Sequence, residues 1–227
     1  MAEQSIESVL TLPPPVPDPE PGPFVVAVEA TRLAREVRGI GRYVRALLPR
    51  LVTLRPGLRL ELYVKRQRDI DALAPSFAAN PVLCNHVTLH RVRDMTRSRA
   101  DVFWYPWNTA APIPARGAVV VTMHDVVPIA HPDPRWRGWQ KNLRWRRRYA
   151  TTARRATIII ADSQFTANEI HRMLGVPHDR MRVVLLAADD FQVPPAAGDR
   201  EALRRLDVTK PFVLAPARLP GTLVAGT

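Results

Sequence analysis

The chain is nearly devoid of cysteine: Cys84 stands alone among 227 residues. It has no internal partner, so no disulfide staples the fold, and a reducing compartment is the default. Long apolar runs are missing too, since no stretch approaches the ~18 residues that a membrane span needs. Met1 to Leu10 holds two glutamates and no basic stretch, which does not read as a secretory signal. These absences lead to the expectation of a cytoplasmic protein, with peripheral attachment at the inner face of a membrane left open. Metal and hydrolase signatures are also lacking. The six histidines show no HExxH spacing, no GxSxG elbow exists, and Ser163 lacks flanking glycines. No bound metal and no serine hydrolysis are therefore expected. No internal repeat points to a solenoid.

Acidic residues are scarce relative to basic ones, 21 against 33, for a net charge of +12. An arginine-dominated excess of this kind suits partners bearing phosphate or carboxylate groups and says nothing about fold. Proline, in contrast, is abundant at 23 residues, about double the usual share of roughly 5 %. Its densest run, PPPVPDPEPGP, closes a lead-in over Met1 to Pro23 that is too proline-rich to join a helix or sheet ladder. The rest is globular in composition, with 46 % hydrophobic and 24 % charged residues.

From Phe24 onward, short β-branched runs alternate with helical stretches. FVVAVEA, LRLELYV, HVTLH, DVFWYP, AVVVTMHD, ATIIIAD and RVVLLAA read as strands. Between them, helices are expected from about Gly41 to Leu54, near Ile70 to Phe77, from about Pro134 to Arg155 and from Ser163 to Leu174. Several strands are unbroken apolar runs, which implies a parallel sheet covered on both faces, a Rossmann-like α/β architecture. Ser163 is placed to cap its helix, Gly175 to end it in a left-handed turn, and Pro177 to prevent continuation. The expected division is a tail over 1–23, a Rossmann-like domain over 24–190, and a linker with the start of a second unit over 191–227. In that last piece FQVPPAAGD is a connector, Arg200 to Leu206 a short helix and PFVLAPA an apolar strand. On this reading the chain is truncated, and its apolar tail favours aggregation.

Ligands of open α/β sheets bind beyond the carboxyl ends of the strands, so residues just after each strand are the first candidates. Gly39-Ile40-Gly41-Arg42 opens the first helix, where glycine permits positive φ and the helix N-terminus favours an anion. A plain tight loop is the competing reading, and a dinucleotide fingerprint is disfavoured by Val44 and by the eight residues between Ala30 and Gly39. His124-Asp125 follows the AVVVTM strand, putting an imidazole and a carboxylate at the rim; a capping Asp beside a satisfied histidine is the alternative. PRWRGWQKNLRWRRRYATTARR contains no acid and interleaves Trp136, Trp139, Trp145 and Tyr149 with arginines. Such a helix either packs its aromatics on the sheet and solvates its arginines, or meets an anionic membrane or lipid phosphate. Nucleic acid ranks last, because no groove-reading motif accompanies it.

With these motifs in order, the sequence resembles the N-terminal half of family 4 retaining glycosyltransferases of the GT-B type. VEATRLAREVRGIGRYVRALLPRL resembles that family's first strand, glycine loop and helix, and HDVVPIAHP its histidine loop. ADSQFTANEIHRMLGVPHDRMRVVLLAADD is similar to its stretch leading to the interdomain linker. The likeness runs from roughly Phe24 to Arg218. It implies transfer of a hexosyl group from a nucleotide-diphosphate sugar to a glycan or lipid-linked acceptor, with retention of configuration, in a cleft between two Rossmann domains. No cofactor beyond that donor substrate is implied. His124 would hydrogen-bond the transferred sugar with Asp125 beside it, and Gly39, Ile40, Gly41 and Arg42 would approach the donor phosphate or the acceptor. Ser163 and Phe165 would shape the cleft floor, and Arg218 would match the first arginine of the second domain. LPGTLVAGT then diverges, and the lysine and paired glutamates that the family uses for the nucleotide do not follow. Catalysis is thus expected only with a donor domain. The alternative is a non-catalytic domain that docks on an anionic membrane surface or acceptor through its Arg144 to Arg155 face.

Overall fold

Apolar runs such as FVVAVE, AVVVTM and IIIA form the centre of a parallel sheet because strands covered on both faces have no solvent side to keep polar. A computed structural model of the chain describes residues 23–37, 39–135, 138–187, 199–205 and 207. Its strands are β1 (Phe24–Glu29), β2 (Leu58–Val64), β3 (Val87–Arg91), β4 (Val102–Tyr105), β5 (Ala118–Met123), β6 (Ile158–Ala161) and β7 (Met181–Val183). They form one seven-stranded sheet in the order β3-β2-β1-β4-β5-β6-β7. Every pairing is parallel. This is the Rossmann-like α/β class expected from the sequence.

Alternate residues of each strand enter opposite layers. On β4, Trp104 joins a core with Val28, Leu60 and Leu62, while Phe103 and Tyr105 join one with Val121 and Ile159. Two helices, α1 (Ile40–Leu54) and α2 (Gln67–Ala78), close the first core with Val44, Leu48, Leu73 and Phe77. After the short α3 (Val127–Ala130), helices α4 (Trp139–Arg155) and α5 (Gln164–Leu174) close the second with Tyr149, Ala153, Ala167 and Ile170. The ends of α5 are as the sequence suggested: the Thr166 amide donates to Ser163 Oγ at 3.0 Å, and Gly175 takes φ 65°.

Three local expectations are corrected. Of the RVVLLAA run only Arg182 and Val183 join a strand, β7 starting one residue earlier at Met181, and Val184, Leu185 and Leu186 are exposed. The Val184 amide makes the last bond, to the Ala161 carbonyl, because β6 has by then turned into Ser163 and α5. The basic helix starts at Trp139 and not near Pro134. Asp133 Oδ1 accepts from the Arg135 amide, and the Asn142 side chain bonds both backbone groups of Asp133, which holds this stretch in a turn. Lastly, α3 and a 3-10 segment at Val92–Arg97 were not foreseen.

The chain divides into two units, Met1–Leu186 and Ala187–Thr227. In the second, α6 (Asp199–Arg205) carries Arg204 and Arg205 at 3.7 and 3.5 Å from Glu201. The PFVLAPA strand and the lead-in through Gly22 lie outside the described residues. No helix among the described residues is long and apolar enough to cross a membrane.

Candidate functional site

Because the strands are all parallel, their carboxyl ends share one edge. The order of strands reverses between β1 and β4, which opens a crevice there. Five strand ends deliver polar residues to this edge: Glu29 at the end of β1 and Thr31 beyond it, Lys65 after β2, Asn108 after β4, His124 and Asp125 after β5, and Asp162 and Ser163 after β6.

His124 is held from three sides. Its backbone amide donates to Asn108 Oδ1 at 2.7 Å, its Nδ1 lies 3.3 Å from Asp162 Oδ2, and its Nε2 lies 3.2 Å from the Pro106 carbonyl. Both ring partners are acceptors, so a neutral imidazole donates to one of them at a time and only an imidazolium donates to both. The Tyr43 ring meets the imidazole edge-on, 5.2 Å between centroids and 88° between planes. Burial pushes the Tyr43 hydroxyl above its ordinary range; a Thr122 hydrogen bond offsets part of this and the Asp162 charge adds to it. Tyr43 is thus a neutral hydrogen-bonding group beside the histidine.

Asp125 serves its own loop. Its Oδ1 accepts from the Val127 amide at 3.0 Å and its Oδ2 from Asn108 Nδ2 at 3.3 Å, while its carbonyl accepts the Tyr149 hydroxyl at 3.3 Å. Asp125 thus closes an Asx turn just ahead of α3, whose N-cap is Val126. Asp162 is the carboxylate that faces the imidazole. It also accepts from Thr166 Oγ1 at 3.0 Å, which in turn hydrogen-bonds Ser163 Oγ at 2.9 Å.

The remaining candidates separate by position. Gly39 is exposed at the start of α1 with φ 54° and open space where a Cβ would be, whereas at Gly41 a Cβ would lie 1.7 Å from the Glu36 carbonyl oxygen. Ile40 packs on the α1-side core, and Arg42 is exposed on the helix. Ser163 spends its hydroxyl on the α5 cap, and Phe165 is 75 % exposed on the first turn. Arg218 lies outside the described residues. The structure thus brings His124 and the ADSQFT turn into one network through Asp162 and Thr166, with Tyr43 linking it to α1.

Sequence reasoning overlooked Asp162, Asn108 and Tyr43. The strand-end rule that selected His124 applies equally to Asp162, the first residue after β6. Asn108 adopts φ 66°, a left-handed backbone that asparagine tolerates better than most residues, and this orients its amide toward both His124 and Asp125. Nothing in the local pattern marks Tyr43. A cavity of about 400 Å³ was missed as well; Thr31, Arg32, Arg35, Glu36 and Lys65 line it beyond β1 and β2. Three cations against one acid suit it to a group carrying negative charge. Arg32 also lies 5.9 Å over the Trp107 ring, whose Nε1 donates to the Glu29 carbonyl at 2.9 Å.

The fold and the edge network define a doubly wound α/β domain with its ligand side at the β1/β4 reversal. The chain belongs to glycosyltransferase family 4: the model described as Glycosyltransferase Family 4 matches residues 37–190, about two thirds of the chain. That span contains the Gly39 loop, His124, Asp162 and Ser163, and leaves out β1 and Arg218. No curated protein matches the chain.

Proposed function

We propose that this chain forms the acceptor-side domain of a retaining enzyme that transfers a hexosyl group from a nucleotide-diphosphate sugar. The observation that carries the reading is His124, an imidazole held at the carboxyl edge by Asp162, Asn108 and Tyr43 inside a chain of this family. When a sugar hydroxyl takes the place of the Pro106 carbonyl, an imidazolium donates from Nε2 to the transferred hexose while its Nδ1–H stays on Asp162, which keeps the ring oriented. Donors fixed in this way stabilise charge that develops as the glycosidic bond breaks, without reorganising during the step. The cavity at Arg32, Arg35 and Lys65 is the seat assigned to the acceptor. A second α/β domain, in a GT-B arrangement, would hold the donor nucleotide from across the edge.

The test is transfer of label from a panel of nucleotide-diphosphate sugars to acceptor extracts, by the chain alone and by the chain joined to a nucleotide-binding second domain. Transfer that falls about a hundredfold or more in His124→Ala is expected. Absence of transfer in both forms, or transfer that His124→Ala leaves intact, overturns the reading. Asp162→Asn is expected to lower the maximal rate more than apparent acceptor affinity, because Asp162 orients the ring and does not touch the acceptor.

A further inference from the structure

A cavity of about 750 Å³ lies between the loop at 110–113 and one face of α4, and does not include His124 or Ser163. That face carries Trp139, Leu143 and Arg147 in one i, i+4 row and Arg144 and Arg148 in the adjoining one, so the five side chains form one stripe. No acid lines the cavity.

α4 is built in two halves. Its buried residues, Tyr149, Thr152 and Ala153, all lie in the C-terminal half. There Thr152 Oγ1 accepts the Ala110 amide at 3.0 Å, which ties the cavity loop to the helix, and Arg180 donates to the Ala153 carbonyl at 2.9 Å. Among the described residues, the N-terminal half is held to the domain through Asn142 on Asp133 and Trp145 on the core. It leaves Trp139 56 % and Leu143 38 % exposed. A helix built only to solvate arginines has no use for an exposed Trp and Leu beside a concave apolar floor of Ala110, Ala111 and Ile113.

We infer that this half of α4, with the loop at 110–113, is a docking surface for the anionic leaflet of a lipid bilayer. Trp139 and Leu143 enter the boundary between headgroups and acyl chains, and the three guanidiniums take lipid phosphates. Apolar and cationic groups share one stripe, as a bilayer interface requires. Single-stranded nucleic acid would instead call for successive aromatic platforms beside the cations, whereas here Trp139 is joined by the aliphatic Leu143, Ala110, Ala111 and Ile113. The surface needs no donor or acceptor, so it stands or falls separately from the proposed transfer reaction.

The test is cosedimentation of the full chain with vesicles of equal parts phosphatidylglycerol and phosphatidylcholine, with phosphatidylcholine alone as reference. Binding to the anionic vesicles only is expected. Arg144→Gln/Arg147→Gln/Arg148→Gln should weaken it roughly a hundredfold, and Trp139→Ser/Leu143→Ser about tenfold or more. Arg154→Gln/Arg155→Gln, at the other end of the same helix, should change it less than threefold. The inference is overturned if the chain does not sediment, if both arginine sets matter equally so that binding follows net charge, if the apolar pair is indifferent, or if duplex DNA displaces the vesicles. Hydrogen exchange on the unmodified chain decides the matter without any variant. Vesicles should protect amides at 139–148, and protection confined to other residues overturns the assignment.

Discussion

Gly39 and Gly41 are two residues apart and are glycines for different reasons. At Gly41 the Glu36 carbonyl occupies the space of a Cβ, so Gly41→Ala forces the loop off α1. A loss of about 3 kcal/mol is expected, measured by urea denaturation. Gly39 has open space and a left-handed φ of 54°, so Gly39→Ala costs only backbone strain of about 1–3 kcal/mol. If a substrate approaches this loop, Gly39→Ala lowers transfer by more than its stability loss accounts for, while Gly41→Ala lowers both together. Glu29 is another residue with a legible conflict. Burial raises its pKa above 4.5, against hydrogen bonds from Thr31 and the charge of Arg32. With the folded value above the unfolded one, the ionised carboxylate destabilises the fold at neutral pH. The penalty is absent below about pH 4.5 and grows as pH rises through the window up to the raised folded pKa. Glu29→Gln keeps an acceptor for the Thr31 amide, 3.0 Å from Oε1, and avoids that penalty. It is expected to raise the melting temperature at pH 7, with the gain disappearing as pH falls below about 4.5; a gain unchanged across that range would contradict the assignment.

Among the elements, α4 shows how one helix serves two purposes. Its sequence is basic along the whole length, yet only its C-terminal half contributes buried side chains. Within that half Thr152 is fully buried, and its hydroxyl satisfies the Ala110 amide. Thr152→Val keeps the volume and orphans that amide, for an expected loss of about 1–3 kcal/mol. Thr152→Ser restores the acceptor and should recover most of it; equal losses for the two variants would show that packing and not the hydrogen bond is at stake. β7 shows the converse, a strand shorter than its own pattern. The apolar run continues through Leu186, but β6 ends at Ala161 and leaves it nothing to pair with.

At the scale of the whole molecule, stability is concentrated where the sheet is covered on both sides. The central strands β1, β4 and β5 carry the fully buried Val28, Phe103, Tyr105 and Val121, whereas Trp139 to Arg148 of α4 contain no buried side chain. Native-state hydrogen exchange is expected to be slowest at Val26 to Val28, Phe103 and Val119 to Val121, and fastest among the helices of the first unit in the opening turns of α4. Phe103→Ala, in the middle of this core, should cost about 3–5 kcal/mol and lower the melting temperature by roughly 2–4 °C per kcal/mol.

The amino-acid pattern alone determined the parallel α/β class, because a strand buried on both faces must be apolar without interruption, as in AVVVTM and IIIA. Local chemistry alone determined the ends of α5, since Ser163 and Gly175 act on backbone groups within their own turn. It also placed His124 at a strand end. What the pattern did not contain is which strand ends become neighbours. Asp162, Asn108 and Tyr43 lie 38, 16 and 81 residues from His124 in the chain, and only the strand order brings them to the imidazole. The same holds for the two halves of α4: composition made the entire helix basic, and packing on the α5-side core buried Tyr149, Thr152 and Ala153 while leaving no buried side chain from Trp139 to Arg148.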